Sequence, residues 1–321
     1  MQRSPLRAAA DDHSHRAAEV TPGAVETSDR YRLCIGGIHV EVVSEDGRPI
    51  WAPDPISRFL IAVGDQAADC RVGVRRVPSR TELPAPVGPT VFESGALWRE
   101  YDDHGDSLYL FASALYNGEP YRTARFRADH TSGEVLLRAD CLPEAHPPFP
   151  LEYPLDEILF GRLLGVREGV ELHALGVVDE RGRGIAFVGH SGAGKSTLGR
   201  LWAEAPRARI LSDDRVIVRH YEGRWWLHGT PWQGEAALSE AARAPLAALC
   251  FLRQTPEPEL QPRRGALATA ELLARAFLPY HRPAVLDLAA GVCARLAASI
   301  PVWDYGFTRT AARTDVPGLD G

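Results

Sequence analysis

The stretch that most constrains this chain is Gly189-His190-Ser191-Gly192-Ala193-Gly194-Lys195-Ser196-Thr197, a match to G-x-x-x-x-G-K-[ST]. The apolar run Ile185 to Val188 before it reads as a strand, and Thr197 to Ala205 after it as a helix. Strand, tight loop, helix is the order that the phosphate-binding form of this motif requires. Its glycines let backbone N–H groups turn inward around phosphate oxygens, and the helix N-terminus adds partial positive charge. Lys195 is then expected to reach the terminal phosphates of a nucleotide, and the Ser196 hydroxyl to ligate Mg²⁺. Composition sharpens the point: of 36 Lys and Arg residues, Lys195 alone is a lysine. A compact ammonium suits a phosphate as a point charge, whereas every other basic side chain of this class is a planar fork.

A chain of 321 residues with 45% hydrophobic content can hold two domains with buried cores. The net charge of −6 argues against a general nucleic-acid or anionic-membrane partner. Five scattered cysteines, Cys34, Cys70, Cys141, Cys250 and Cys293, form no C-x-x-C and suggest reduced thiols. With no secretory pattern and no apolar run of about eighteen residues, the expected setting is the cytoplasm, with no membrane contact.

Residues 1–30 are polar without periodicity and read as a disordered tail; Asp11-Asp12-His13-Ser14-His15 within it earns no functional role. Residues 31–146 read as a mostly β domain. Tyr31 to Ile35 and Ile38 to Val42 flank a Gly36-Gly37 turn, and Ser107 to Ala112, Tyr121 to Ala128 and Val135 to Ala139 come later. Pro78 to Pro89 reads as a long loop. Trp51, Trp98 and Tyr101 are candidates for a binding face or for packing. Proline-rich Pro143 to Pro154 marks a boundary. Glu152 to Val166 has helical spacing (Leu155, Ile158, Leu159, Leu163, Leu164) and is expected to pack on the domain C-terminal to it. Residues 147–310 form the second domain, and 311–321 a tail.

Inside that second domain, His173 to Val178 and Ile185 to Gly189 surround a charged turn near Gly182 and read as a hairpin. Antiparallel pairing then puts His173 opposite Gly189 or His190, at the mouth of the loop. Ala208 to Leu211 is a strand running into Ser212-Asp213-Asp214, where a metal-anchoring carboxylate belongs relative to such a loop. Because alternate strand residues face opposite ways, the strand must end or bend between the aspartates if both serve one site. Val216 to Tyr221 with Arg224 to His228 predicts a second hairpin, and Leu246 to Arg253 a strand. A loop from Pro256 to Gly265, helices at Ala268 to Phe277 and Pro283 to Ala298, and a last strand at Pro301 to Phe307 complete the reading.

Many proteins carry such a loop. Transporter ATPases add an L-S-G-G-Q signature, absent here, and a GTPase N-K-x-D motif is impossible with no lysine after Lys195. A histidine about 16 residues before the loop, G-x-S-G-x-G-K-S, and a strand into Asp-Asp about 17 residues beyond the serine resemble, as a set, the catalytic domain of HPr kinase/phosphorylase and its serine-kinase relatives. The resemblance spans His173 to about Arg253. It implies an α/β fold: a P-loop, mixed-sheet kinase domain of HPr kinase and PEP carboxykinase type, here behind a mostly β N-terminal domain.

It also implies roles. Gly189 to Thr197 (Gly189, His190, Ser191, Gly192, Ala193, Gly194, Lys195, Ser196 and Thr197) would bind ATP, with Lys195 on the β and γ phosphates. Ser196 and Asp213 would hold Mg²⁺, Asp214 would take the acceptor proton, and His173 matches the family's active-site histidine. The family's E-I-R-G-L-G signature is absent, leaving Glu235 as the comparable metal acid and Arg263 or Arg264 as counterparts of a later catalytic arginine. The expected activity is transfer of the γ-phosphoryl group of ATP to a hydroxyl, a serine of a peptide or protein. Two alternatives stand beside it: a small-molecule hydroxyl as acceptor, with Trp225, Trp226, Trp232 and Trp303 lining a pocket, and a non-catalytic nucleotide-dependent binding module. The resemblance allows a homo-oligomer, the bacterial enzyme being a hexamer.

Overall fold

The computed structural model describes residues 28–64, 66–142, 147–204 and 208–308. Most of the expected tails, the Asp11–His15 cluster and part of the proline-rich boundary lie outside them; the end of the N-terminal tail, read as disordered to residue 30, is instead paired, Ser28 with Ile50 and Arg30 within the first strand. Within them, two mixed sheets and their helices make a mixed α/β fold. No helix among the described residues is long and apolar enough to cross a membrane.

The first sheet has nine strands: β1 (Arg30–Ile35), β2 (Ile38–Ser44), β3 (Leu60–Ile61), β4 (Cys70–Val77), β5 (Thr90–Glu93), β6 (Trp98–Asp103), β7 (Asp106–Ala112), β8 (Pro120–Phe126) and β9 (Ser132–Arg138). They lie in the order β3-β1-β2-β4-β9-β8-β7-β6-β5, with β4 parallel to both β2 and β9. Alternation drives it: Val40 and Val42, and Val72 and Val74, are fully buried and share one core. Helix α1 (Leu155–Val166) supplies Leu155, Leu159, Phe160, Leu163 and Leu164 to that same core. The periodicity locates the helix correctly, but its apolar stripe faces back onto the first sheet as well as forward. The first sheet needs a cover for one face, and α1 is the apolar element next in the chain.

The second sheet contains β10 (Gly169–Val178), β11 (Gly184–Val188), β12 (Arg209–Ser212), β13 (Arg215–Tyr221), β14 (Arg224–His228), β15 (Arg243–Gln254), β16 (Glu259–Pro262) and β17 (Val302–Phe307). Its path is β11-β10-β13-β14-β15-β17-β16, with β12 on β10 and a parallel β11–β15 pairing that closes a ring of five strands. Helix α2 (Lys195–Ala203) covers one face through Leu198 and Trp202. Helices α3 (Ala266–Leu273) and α4 (Pro283–Ser299) cover the other through Ala268, Leu272, Val292 and Leu296. Two expectations need correction. The stretch read as a loop from Pro256 contains β16, a short edge strand whose Pro262 sits at its end, where the missing N–H costs no ladder bond. The helix read as running to Phe277 ends at Leu273, because residues 275–277 pair with β10 instead.

The turn between β1 and β2 joins the two halves. At Gly36 φ is +61°, and an added Cβ would stand 2.8 Å from Ile217 Cγ2 on β13. Only glycine meets both demands. The Gly36 carbonyl then accepts from Arg219 Nη1 at 2.8 Å.

Gly229, just after β14, presses on backbone: a Cβ there would stand 2.5 Å from the Leu211 carbonyl oxygen and collide with that of Glu240. Neither backbone segment can yield freely, because the Glu240 N–H itself donates to the Leu211 carbonyl at 2.9 Å. Gly229→Ala is expected to cost about 3 kcal/mol, the upper range for overpacking. Urea denaturation should show a lower midpoint with an unchanged slope.

Candidate functional site

The site forms where β10 changes partners. Up to His173 it pairs with β13 (His173 opposite Arg215), and from Ala174 it pairs with β11 (Ala174 opposite Val188). Each exposed backbone group at the changeover finds a new partner. His173 O accepts from Gly189 N at 3.1 Å, His173 N donates to Arg275 O at 2.8 Å, and Ala174 N donates to Asp214 O at 2.8 Å. The start of the glycine-rich loop, the Asp-Asp bend and the segment after α3 are thereby fixed around one residue.

β12 and β13 run as one line along β10, with the bend at Asp213-Asp214 between them. Buried Ser212 shapes it: its Oγ accepts from the Arg215 N–H at 3.2 Å and from that of Asp214 at 3.4 Å. The two carboxylates then part. Asp213 accepts from the Gly234 N–H at 2.9 Å and the Ala236 N–H at 2.8 Å, anchoring the loop after β14. Asp214 turns the other way and its Oδ1 lies 2.9 Å from His173 Nε2.

Lys195 completes the cluster. Its Nζ lies 2.6 Å from the same His173 Nε2 and donates to the carbonyls of Gly189 (3.2 Å) and His190 (3.3 Å). One ring nitrogen has one hydrogen-bonding position, so Nε2 cannot accept from the ammonium and donate to the carboxylate together. One of these short contacts is therefore unrewarded, and the ammonium is the partner free to leave for an anion. Burial pulls the Lys195 ammonium below its ordinary value, although the charges of Asp214 and Asp213 oppose that. For Asp214 burial acts upward, but the hydrogen bond and charge of His173, with Lys195 and Arg215, outweigh it and hold the carboxyl low.

The loop from Gly189 to Gly194 opens α2 without a side-chain cap, since its N-cap residue is Gly194 in the left-handed region at φ 99°. The first-turn N–H groups of this nine-residue helix therefore have no side-chain oxygen on them. Gly192 also has positive φ, and a Cβ there would meet nothing within 4 Å. Beside the loop lies an open hollow of about 380 Å³ bounded by His190, Gly192, Leu252, Arg253 and Gln254. Exposed backbone donors, a buried ammonium and free space fit an anionic phosphate chain.

Of the residues singled out from sequence, His173, Lys195 and Asp214 touch one another, Ser196 comes directly after Lys195 in the first turn of α2, and Asp213 backs the bend. Arg263 lies elsewhere, bonded to Asp304 at 2.8 Å and facing Glu271 at 3.5 Å. Arg264 and Glu235 are exposed. Among the described residues no hydrogen bond or ion pair ties these three to the cluster, and no three His, Cys, Asp or Glu side chains converge as a metal site. Of the tryptophans, Trp225 is buried in a core and Trp232 donates to Asp156 at 2.8 Å.

Sequence reading missed Arg215, Glu171 and Phe277. Arg215 faces Asp214 (3.6 Å), Glu157 (2.8 Å) and Glu171 (3.3 Å), with its guanidinium 4.0 Å from the centre of the Phe277 ring. Glu171 had a usable signal: it lies two residues before His173 on one strand, hence on the same face. Arg215 stands immediately after the Asp-Asp pair.

Burial pushes the Glu171 carboxyl up to about 8, with Glu157 adding to the rise and Arg215 opposing it. The unfolded chain releases this proton near pH 4.5 and the folded one near 8, so stability falls as pH rises through that window. Glu171→Gln removes the mismatch. Between pH 5 and 8 its Tm should decline less steeply than that of the parent, measured by thermal melts.

No family model matches the chain, and no curated protein matches it. Among solved structures, the Hpr(Ser) kinase/phosphatase from Coxiella burnetii shows a weak likeness. It is 11% identical, covers 46% of this chain and 81% of its own, and has a TM-score of 0.23.

Proposed function

We propose that the chain is an ATP- and Mg²⁺-dependent phosphotransferase that moves the γ-phosphoryl group to a hydroxyl, a serine of a peptide or protein. The observation that carries this reading is the contact line Lys195–His173–Asp214 at the mouth of the glycine-rich loop. An ammonium for phosphate charge and a carboxylate for a hydroxyl proton meet at one imidazole nitrogen.

In this reading the N–H groups of residues 189–197 cradle the phosphates, and Lys195 leaves His173 Nε2 for the terminal ones. That release frees Nε2 to donate to Asp214 alone and to orient its carboxylate. The acceptor oxygen then bonds to the γ phosphorus as the bond to the ADP oxygen breaks, and the acceptor proton passes to Asp214. A carboxylate held low is a weak base, which suffices when the transition state is loose and the proton leaves late. Ser196 would hold Mg²⁺, with Asp213 and Glu235 as the acids assigned beside it. The protein offers no ready cage among the described residues, so phosphate oxygens and water would complete the shell. When bound, the ion neutralises charge on the β and γ phosphates. Arg263, drawn away to Asp304, is left in this proposal with a supporting role at most.

Asp214→Asn tests the proposal. With γ-labelled ATP and a serine-peptide library, transfer should fall about 10²- to 10⁴-fold, the range for losing a positioned base. Affinity for a fluorescent ATP analogue should change less than about threefold, because Asp214 faces the acceptor rather than the phosphates. Nucleotide bound with no transfer to any acceptor by the parent protein would leave only a nucleotide receptor.

A further inference from the structure

A second cavity, of about 350 Å³, lies between the first sheet, α1 and the segment after α3. That volume falls at the lower end of small-molecule pockets. One wall is a run of rings: Phe92 stacks on His281 at 4.2 Å and meets Trp98 at 4.8 Å. Phe277 forms part of the opposite side, and Glu157 and Glu171 supply carboxyl groups. The ring wall is braced from behind by Glu100, fully buried, whose carboxylate holds Arg162 at 3.1 Å, His281 at 2.8 Å and Arg282.

Two facts connect this cavity to the cluster around Asp214. Glu157 and Glu171 both bind Arg215, which also faces the Asp214 carboxylate. The Phe277 ring lies 5.8 Å from the His173 ring, centre to centre. The lining is thus one side chain away from the proposed base.

Helix α1 contributes a third fact. Gly161 lies inside the helix, where glycine weakens it relative to alanine. No close packing demands it, since an added Cβ would meet nothing within 4 Å. What the missing side chain leaves is the space of the cavity, which Gly161 lines.

We infer that this cavity receives a ring-sized apolar group of the phosphoryl acceptor, so that the first sheet, through Phe92 and Trp98, selects the substrate whose hydroxyl reaches Asp214. This rests on the phosphotransferase reading for the acceptor's role, while the cavity itself rests on its own lining. The ring belongs either to a residue beside the phosphorylated serine or to a free alcohol, and the probes separate these. The polar end of the cavity favours a ligand that brings a hydrogen-bond donor toward Glu157.

The test uses the full chain and saturation-transfer NMR with four probes: 2-phenylethanol, ethanol, N-acetyl-Ser-Phe-amide and N-acetyl-Ser-Gly-amide. At least one ring-bearing probe should show transfer concentrated on its ring protons, and the ringless partners should not. Gly161→Leu should cut that signal at least fivefold, and Gly161→Ala to an intermediate degree, with fluorescent-nucleotide affinity unchanged in both. The variants place side chains in open space on a helix that gains propensity, so folding is retained, as circular dichroism would verify. A response to the peptide alone assigns a peptide acceptor, and to 2-phenylethanol alone a small alcohol. Equal binding of ringless probes, no binding of either ring probe, or full binding to Gly161→Leu overturns the assignment. Ring binding abolished by Gly161→Leu, without phosphoryl transfer to any acceptor, overturns the kinase reading and leaves the ligand site standing.

Discussion

A single strand trades partners on both of its edges at residues 173 and 174, and the rest of the site depends on that exchange. Buried backbone groups cannot be left without partners, so the exchange needs a donor or acceptor from each new neighbour. Gly189, Asp214 and Arg275 meet those needs through their main chains. Their side chains and loops are therefore located by ladder geometry before any side-chain attraction acts. The 2.6 Å and 2.9 Å contacts on His173 Nε2 are consequences of this register.

Buried charge ties the two sheets together around that point. Arg215 serves three carboxylates, from α1, β10 and its own neighbour Asp214. Glu100 serves Arg162 from α1 and His281 and Arg282 from the approach to α4. Such clusters add little net stability, because desolvation offsets attraction, but removing one member strands the others in a dry interior. They act as constraints on position. Through Arg162 and His281, a strand of the first sheet is held against the segment that lines the second cavity.

Much of this is legible in the sequence because it depends on short-range pattern. The turn near Gly182 sets the β10–β11 register, and with it the approach of His173 to Gly189. Likewise, two aspartates on one strand end can face one site only through a bend; the bend exists, with Asp214 on His173 and Asp213 held by the Gly234 and Ala236 amides. The features that escape a sequence reading depend on long-range partners. The residues after Leu273 have helical composition, but β10 offers hydrogen bonds that a helix end would forgo. Nor does the spacing of Leu155 and Leu159 say which of two sheets their helix will cover. Trp98 stands out in the sequence as an aromatic; that it faces a cavity with Phe277, far away along the chain, is a property of the fold.

The scarcity of lysine has a consequence for covalent labelling. The 321 residues hold one ε-amine, 7% exposed and bound to two carbonyl oxygens. Arginine carries the remaining basic charge and does not react with ordinary acylating reagents. Lysine acylation or carbamylation of this protein therefore has a single address, and the rate at that residue reports whether it is occupied.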